Sequence, residues 1–524
     1  MNLRTLATAS LASLTLVGPT EAQNAPDDEI SELLMKSFGH SGGRIEYTPP
    51  NQSLGEYLDE LGADFNNLTA SESRGTKVGA IIEAIEGGRA DDVARYSIQV
   101  NPNISPTMAN DAFERYGLVQ MDRPNSSTGV VSAGRLLPPD ADVAIDGELI
   151  KEQADLLNLL KGDSSFISVI EEPIWEVNQI YAPELSIGPM PFSDRDEFAM
   201  RHASVGENHF DWGLENIGVT NLWNRPLASQ GVSVGVLDIG FNHHIDLPLW
   251  GLDTSVSPQD HGNHVAGILC AKHDGRGING VLPTCLVVPR TPKYSLLAGI
   301  EGIRANTMVA VLNAFEEIIE NRDDIKVVNV SLGYNWRKKD KEKTVLSEEE
   351  KQQVADAAMQ LLGLYQLAQE RDIFIVTAAG NDSWELDPKM NAVWSSPMNF
   401  ASLAFCRELN LCNGVVVEAH NVVDKHADFS NIGGDISCPG VDVISTVAFD
   451  IFKDPSASEY AYMSGTSMAS PYCAGGLVML SMLRPNYSAT EIVNCAKEAA
   501  RPVEGAFVAS ALDLEATLEH CPSR

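Results

Sequence analysis

The sequence predicts an α/β protein in which a parallel sheet is covered by helices on both faces, preceded by a small α+β module. Short apolar, β-branched runs at 232–238, 285–289, 325–332 and 373–379 alternate with helical patterns at 303–321 and 348–371. Runs of this kind lack polar alternation and suit strands buried on both faces, which a parallel sheet between two helix layers provides. Upstream, a strand at 96–100, a helix at 106–116, a strand at 129–133, a helix at 148–160 and a strand at 166–177 follow in order. That β, α, β, α, β series is the smaller module.

The chain opens with one basic residue, Arg4, an apolar and small-residue run from 6 to 17, then Thr20, Glu21 and Ala22. This is the make-up of a secretory signal cut after Ala22, so 1–22 is read as a signal peptide and the product as secreted. The run is too short to span a bilayer. Residues 23–92 are acidic, with helical patterns at 54–61 and 78–85, and no chemistry is read from them. The small module occupies 93–182. Pro183, Pro189 and Pro191 mark 183–206 as a linker and processing region, and 207–524 carry the parallel-sheet pattern.

With 44% hydrophobic residues in 524 positions, the chain can fill at least two packed domains. A formal charge of −35 argues against nucleic acid and against anionic membrane surfaces as partners. All eight cysteines lie between Cys270 and Cys521, which in an exported chain suggests disulfides. Cys406 with Cys412 is the best local pair, and Cys495 with Cys521 is a second. Cys270 and Cys473, on apolar helices, suit a small core residue as well as a bridge. The chain has no CxxC spacing of the kind zinc sites use.

The candidate chemistry centres on 463–476, MSGTSMASPYCAGG. Small residues there form a tight turn that opens an apolar helix and aims Ser467 outward, and Pro471 is tolerated in a first helical turn. A helix N-terminus also favours an oxyanion forming beside it. Serine alone is a weak nucleophile and needs a base and an orienting carboxylate. Asp238 closes the run 232–238, where a parallel strand delivers a side chain to the sheet's carboxyl edge, and His261 opens an apolar helix in QDHGNHVAGIL. Taken singly, such residues are more often a helix cap or a turn residue. In series they follow the order Asp, His, Ser, and no GxSxG surrounds Ser467.

These segments resemble the subtilisin-like serine protease family: DIG at Asp238, HGNHVAG at His261, GTSMASP at Gly465 and TAAGND at 377–382. WGLENIG at Trp212, NVSLG at Asn329 and FSNIGGDISCPGVDVIST at Phe429 extend the resemblance over about 205–515. It implies a serine endopeptidase acting on polypeptides, with Asp238, His261 and Ser467 as catalytic residues and Asn381 as the oxyanion donor. Ser331, Leu332 and Gly333 would pair with extended substrate as an added strand. LLKGDSSFISVIEEPIWEV, closing the small module, resembles the end of the family's inhibitor-like propeptides, so a zymogen whose own propeptide lies in the cleft until cut is expected.

No cofactor is required by this chemistry, and a monomer is the expected form. DGRGIN at 274–279 stands where some relatives hold calcium but offers a single carboxylate, so structural calcium is not supported. His243, His244 and Asp246 resemble the family's turn after the strand rather than a metal site, and His264 is assigned to packing. Ile239 and Asn263 replace the usual threonines, and Tyr472 a common histidine. The competing class is a catalytically silent fold of the same family acting as a binding protein; the presence of all four site residues weighs against it.

Overall fold

The computed structural model describes residues 27–40, 92–122, 124–137, 143–145, 148–150, 153–172, 175–177, 212–226, 231–251, 260–275, 277–292, 308–334, 346–383, 389–447, 460–505 and 508–524, with isolated positions between 77 and 89. The signal peptide at 1–22, the helical pattern at 54–61 and the linker at 183–206 lie outside them.

The first described element is α1 (Asp27–His40). The small module follows: β1 (Val93–Val100), α2 (Pro106–Arg115), β2 (Val119–Gln120), β3 (Val130–Leu136), β4 (Val143–Ile145), β5 (Glu148–Ile150), α3 (Gln153–Gly162), β6 (Phe166–Glu171) and β7 (Trp175–Val177). Helix α2 starts where the sequence says it must, with Pro106 at its first position and the Ser105 hydroxyl accepting from Met108 N at 3.2 Å. An antiparallel sheet in the order β2-β3-β1-β6 packs Tyr96, Ile98, Val131 and Val169 against Phe113 and Leu156 of the helices.

Two expectations change here. The predicted helix at 148–160 begins only at Gln153, because β5 pairs with β4 as a hairpin. Asp146-Gly147 between those strands is the two-residue sequence that suits such a turn. The predicted strand at 166–177 is two strands in different sheets: β6 pairs with β1, while β7 pairs with a strand more than 150 residues further on. Pro173 lies between them and has no N–H to continue a ladder.

The larger part runs α4 (Trp212–Asn216), β8 (Val232–Leu237), α5 (His261–Cys270), β9 (Cys285–Arg290), α6 (Met308–Asn321), β10 (Ile325–Val330), β11 (Leu332–Tyr334), α7 (Glu348–Met359), α8 (Leu362–Glu370), β12 (Phe374–Ala378), α9 (Pro397–Leu409), β13 (Gly414–His420), β14 (Ile436–Pro439), β15 (Val443–Thr446), β16 (Tyr460–Met463), α10 (Thr466–Leu483), α11 (Ala489–Glu498) and α12 (Leu514–His520). Six strands form one parallel sheet in the order β14-β13-β12-β10-β8-β9. Its two faces belong to different cores. Phe374 and Val376 of β12 face the layer of α5 and α10, and Ile375 between them faces α6, α7 and α9. This is the predicted sheet with helices on both sides, and it explains the apolar runs.

Two predicted elements break at contacts. The strand expected at 325–332 leaves the sheet at Ser331, so β11 stands apart from β10. The helix expected at 348–371 is interrupted at Gln360, which is fully buried and turns its amide to the small module: Nε2 donates to Ser97 O at 3.1 Å and Oε1 accepts from Ser97 Oγ at 2.6 Å. A second contact joins the same parts. The buried Glu316 carboxylate on α6 accepts from Ser126 Oγ at 2.7 Å, Asn125 Nδ2 at 3.1 Å and Ser127 Oγ.

Four disulfides form: Cys270–Cys285, Cys406–Cys412, Cys438–Cys473 and Cys495–Cys521. Both local pairs read from the sequence occur, and Cys270 and Cys473 are bridge members as well as core residues. Cys438–Cys473 ties β14 to α10.

His264 and His420 are buried in this framework, with His264 Nε2 at 3.0 Å from Ala461 O and His420 between Ser437 and Asn216. Burial lowers each to about 3, against an ordinary value near 6.5. The unfolded chain then binds more protons than the folded one between those values, so stability is complete above pH ~6.5 and falls as pH drops toward 3. Each histidine adds a slope of up to about 1.4 kcal/mol per pH unit. Thermal unfolding followed from pH 7 to pH 4 is expected to show a falling Tm, and His264→Gln a shallower fall; parallel curves would contradict this origin.

Candidate active site

Three adjacent strands end in line. In the parallel register Val330 of β10 stands beside Leu237 of β8 and Thr377 of β12, so the residues that follow, Asp238, Ser331 and the 378–381 segment, leave the sheet at one carboxyl edge. Neighbouring strands lie about 4.8 Å apart, which keeps those exits close together.

Asp238 follows the last residue of β8 and is fully buried. The turn after it caps α5: Gly262 N donates to Ile239 O at 2.7 Å and Asn263 N to Gly240 O at 3.2 Å. Helix α5 therefore starts against the Asp238 turn. Gly262 permits this approach, since a Cβ there would lie 2.8 Å from the Phe241 ring and 3.0 Å from Ile239 O. His261 consequently places Nδ1 2.7 Å from Asp238 Oδ1. A carboxylate can only accept, so Nδ1 carries a proton, and in the neutral ring Nε2 then presents its lone pair. Nε2 is buried and has no hydrogen-bond partner. Burial raises the Asp238 carboxyl above the ordinary range; the neighbouring His261 and the Ile239 N–H, 2.6 Å from Oδ1, oppose it.

Ser467 sits in the first turn of α10, whose leading N–H groups lie outside the i→i−4 ladder. Two contacts hold that turn at the sheet edge. Ser331 Oγ donates to Ser467 O at 3.3 Å, and Asn381 Oδ1 accepts from both Thr466 N and Thr466 Oγ1 at 2.9 Å. The second sets the direction of the Asn381 amide, with Oδ1 toward Thr466 and Nδ2 on the opposite edge. Gly380 beside it has φ +101°, and a Cβ there would lie 2.4 Å from Asn431 Nδ2 and 2.5 Å from Ser395 Oγ. Helices α5 and α10 also pack against each other, so the elements bearing Asp238, His261, Ser467 and Asn381 converge on one edge.

Leu332 and Gly333 lie on β11, which pairs antiparallel with β7: Leu332 with Val177, Gly333 with Glu176 and Tyr334 with Trp175. The backbone expected to receive an extended peptide is thus paired with one from this chain.

His264 points away from the other site residues to Ala461 O, and among the described residues no group of three metal-ligating side chains occurs. Sequence reasoning missed several supporting residues. Asn329, fully buried, donates from Nδ2 to Ser331 Oγ at 3.1 Å and accepts from Ser470 Oγ at 2.7 Å, which links the strand to α10. Asn431 accepts from Asp382 N and Ser383 Oγ and donates to Ala379 O, holding the loop that carries Asn381. The available signal was a polar residue within an otherwise apolar strand, and an asparagine in a Gly-rich turn.

The subtilase family model matches residues 229–514, more than half of the chain. The minor extracellular protease Epr of Bacillus subtilis is 28% identical over 290 residues, 54% of this chain and 37% of that protein, so the match spans about a third of the relative's length. Subtilisin BL of Lederbergia lenta is 29% identical over 299 residues, 55% of this chain and 90% of its own. Among solved structures, fervidolysin from Fervidobacterium pennivorans, described as a keratinolytic enzyme related to subtilisin, aligns over 82% of this chain and 61% of its own. Its TM-score of 0.52 at 19% identity speaks for the fold alone. Membership follows from the family match over more than half the chain, together with the curated relatives: the chain belongs to the subtilase family.

Proposed function

We propose that this protein is a secreted serine endopeptidase, made as a zymogen, that cleaves polypeptides through an acyl-enzyme. The observation that carries the reading is the 2.7 Å pairing of His261 Nδ1 with Asp238, which leaves a buried, unpartnered Nε2 at the edge where Ser467 begins its helix. In the proposed cycle Ser467 Oγ attacks the peptide carbonyl carbon while His261 Nε2 takes its proton. Asp238 holds the ring and stabilises its cation without taking the proton itself. The carbonyl oxygen becomes an oxyanion between Asn381 Nδ2 and the Ser467 N–H at the helix N-terminus. His261 then protonates the departing amine, and water repeats the sequence on the acyl-enzyme. No step is assigned to a metal or a cofactor.

The zymogen reading assigns 93–182 as the propeptide. It is supported by β7 on β11, where an added strand would otherwise be substrate, and by the Gln360 and Glu316 contacts that dock the small module on α6 and α7. The proline-bearing 183–206 begins a few residues after β7 ends at Val177 and is the proposed processing region. Since the net charge is −35, basic or neutral polypeptides are expected to be steered in better than acidic ones.

A fluorophosphonate probe is expected to label the processed protein at Ser467 and to miss Ser467→Ala. A folded, processed chain that stays unlabelled would favour the silent binding protein. Asn381→Ala is expected to lower kcat about 10²–10³-fold with KM little changed, a magnitude known from subtilisin; an unchanged kcat would remove Asn381 from the oxyanion site. Sequencing the secreted protein's N-terminus should place it within 183–206, and Ser467→Ala should accumulate uncut. A fully active product beginning at residue 23 would contradict the zymogen.

A further inference from the structure

We infer that helix α1 is a second anchor by which the N-terminal region grips the catalytic core, on a surface formed by α7 and α9 rather than by β11. Its buried residues Ile30, Leu33, Leu34 and Ser37 follow the i, i+3, i+4, i+7 spacing of one helix face, while Met35 on the other side is 61% exposed. Ile30, Leu33 and Leu34 enter the hydrophobic cluster that holds Val354 and Ala358 of α7 and Met398 and Ala401 of α9. The polar contacts are matched too. Ser37 Oγ donates to Asp356 Oδ1 at 2.7 Å and accepts from Gln352 Nε2 at 2.8 Å. Ser31 Oγ donates to Glu408 Oε1 at 2.5 Å, and Glu29 pairs with Lys351, whose ammonium also lies 5.5 Å from the Trp394 ring centre.

A 14-residue helix is marginal by itself in water, so docking is what stabilises α1. The N-terminal region thereby holds the core at two places, through α1 and through the small module with β7. Two linked contacts retain a ligand about 10²–10⁴-fold better than one. On the inhibitory reading of β7, on which this consequence rests, α1 adds to the hold of the small module: after scission within 183–206 the N-terminal fragment leaves more slowly than the module without α1 would.

The full chain with a foreign protease site placed in 183–206 tests this in a Ser467→Ala background, so that scission is independent of self-processing. After the cut, release of the N-terminal fragment from an immobilised C-terminal tag is timed. Leu34→Asp is expected to release it at least 10²-fold faster. Glu29→Lys, which opposes Lys351 at the surface without disturbing the core, is expected to speed release several-fold, and Glu29→Lys with Lys351→Glu to restore most of the loss. If Leu34→Asp fails to fold, the charge swap decides. Equal release from the wild type and Glu29→Lys overturns the anchor. In the same cut chain with Ser467 intact, full peptide hydrolysis while the fragment is still bound overturns the inhibitory reading and leaves the anchor standing.

Discussion

The structure depends on a buried carboxylate. Asp238 is fully buried, and a carboxylate there is tolerable only if hydrogen bonds meet it. It meets His261 Nδ1 and the N–H of Ile239. The turn that supplies Ile239 also caps α5, so the same few residues that meet Asp238 place the imidazole beside it. From that pair the remaining site follows by register: β8, β10 and β12 end together, Ser331 leaves β10 to touch the first turn of α10, and the loop after β12 clasps Thr466. A shift of any one of these strands would move the group at its end out of line with the others.

Most of this was legible because the local chemistry and the tertiary role coincide. The apolar run at 232–238 had to be buried on both faces, and HGNHVAG had to start a helix against something that admits no side chain at Gly262. What escaped was set by partners distant in sequence. Residues 348–371 have a helical pattern throughout, and the partners that meet Gln360 at the break, Ser97 and Ser168, lie some 260 and 190 residues upstream. Residues 166–177 read as one strand, yet their ends pair with β1 and β11, which no local pattern distinguishes. Asn329 and Asn431 stood out only as a polar residue in a strand and an asparagine in a Gly-rich turn; what they hold is set by partners that lie in other elements.

The N-terminal half is more than an appendage to the sheet. Glu316 is a buried acid on α6 whose donors Asn125, Ser126 and Ser127 belong to the small module, and losing them would leave its carboxylate short of partners. Helix α1 covers apolar side chains of α7 and α9. The core is therefore complementary to two parts of the chain that precedes it, and on the proposed zymogen reading folding and restraint of activity share the same contacts. Strand β7 pairs with β11 through the backbone that the proposed function assigns to an extended substrate.

The proton on His261 is the most direct measure of the whole arrangement. Nitrogen-15 NMR of the histidine-labelled protein near neutral pH reads which ring nitrogen carries it. The account predicts an Nδ1–H in a strong hydrogen bond to Asp238 and a bare Nε2. A neutral ring protonated at Nε2, or an Nδ1–H insensitive to Asp238→Asn, would contradict it.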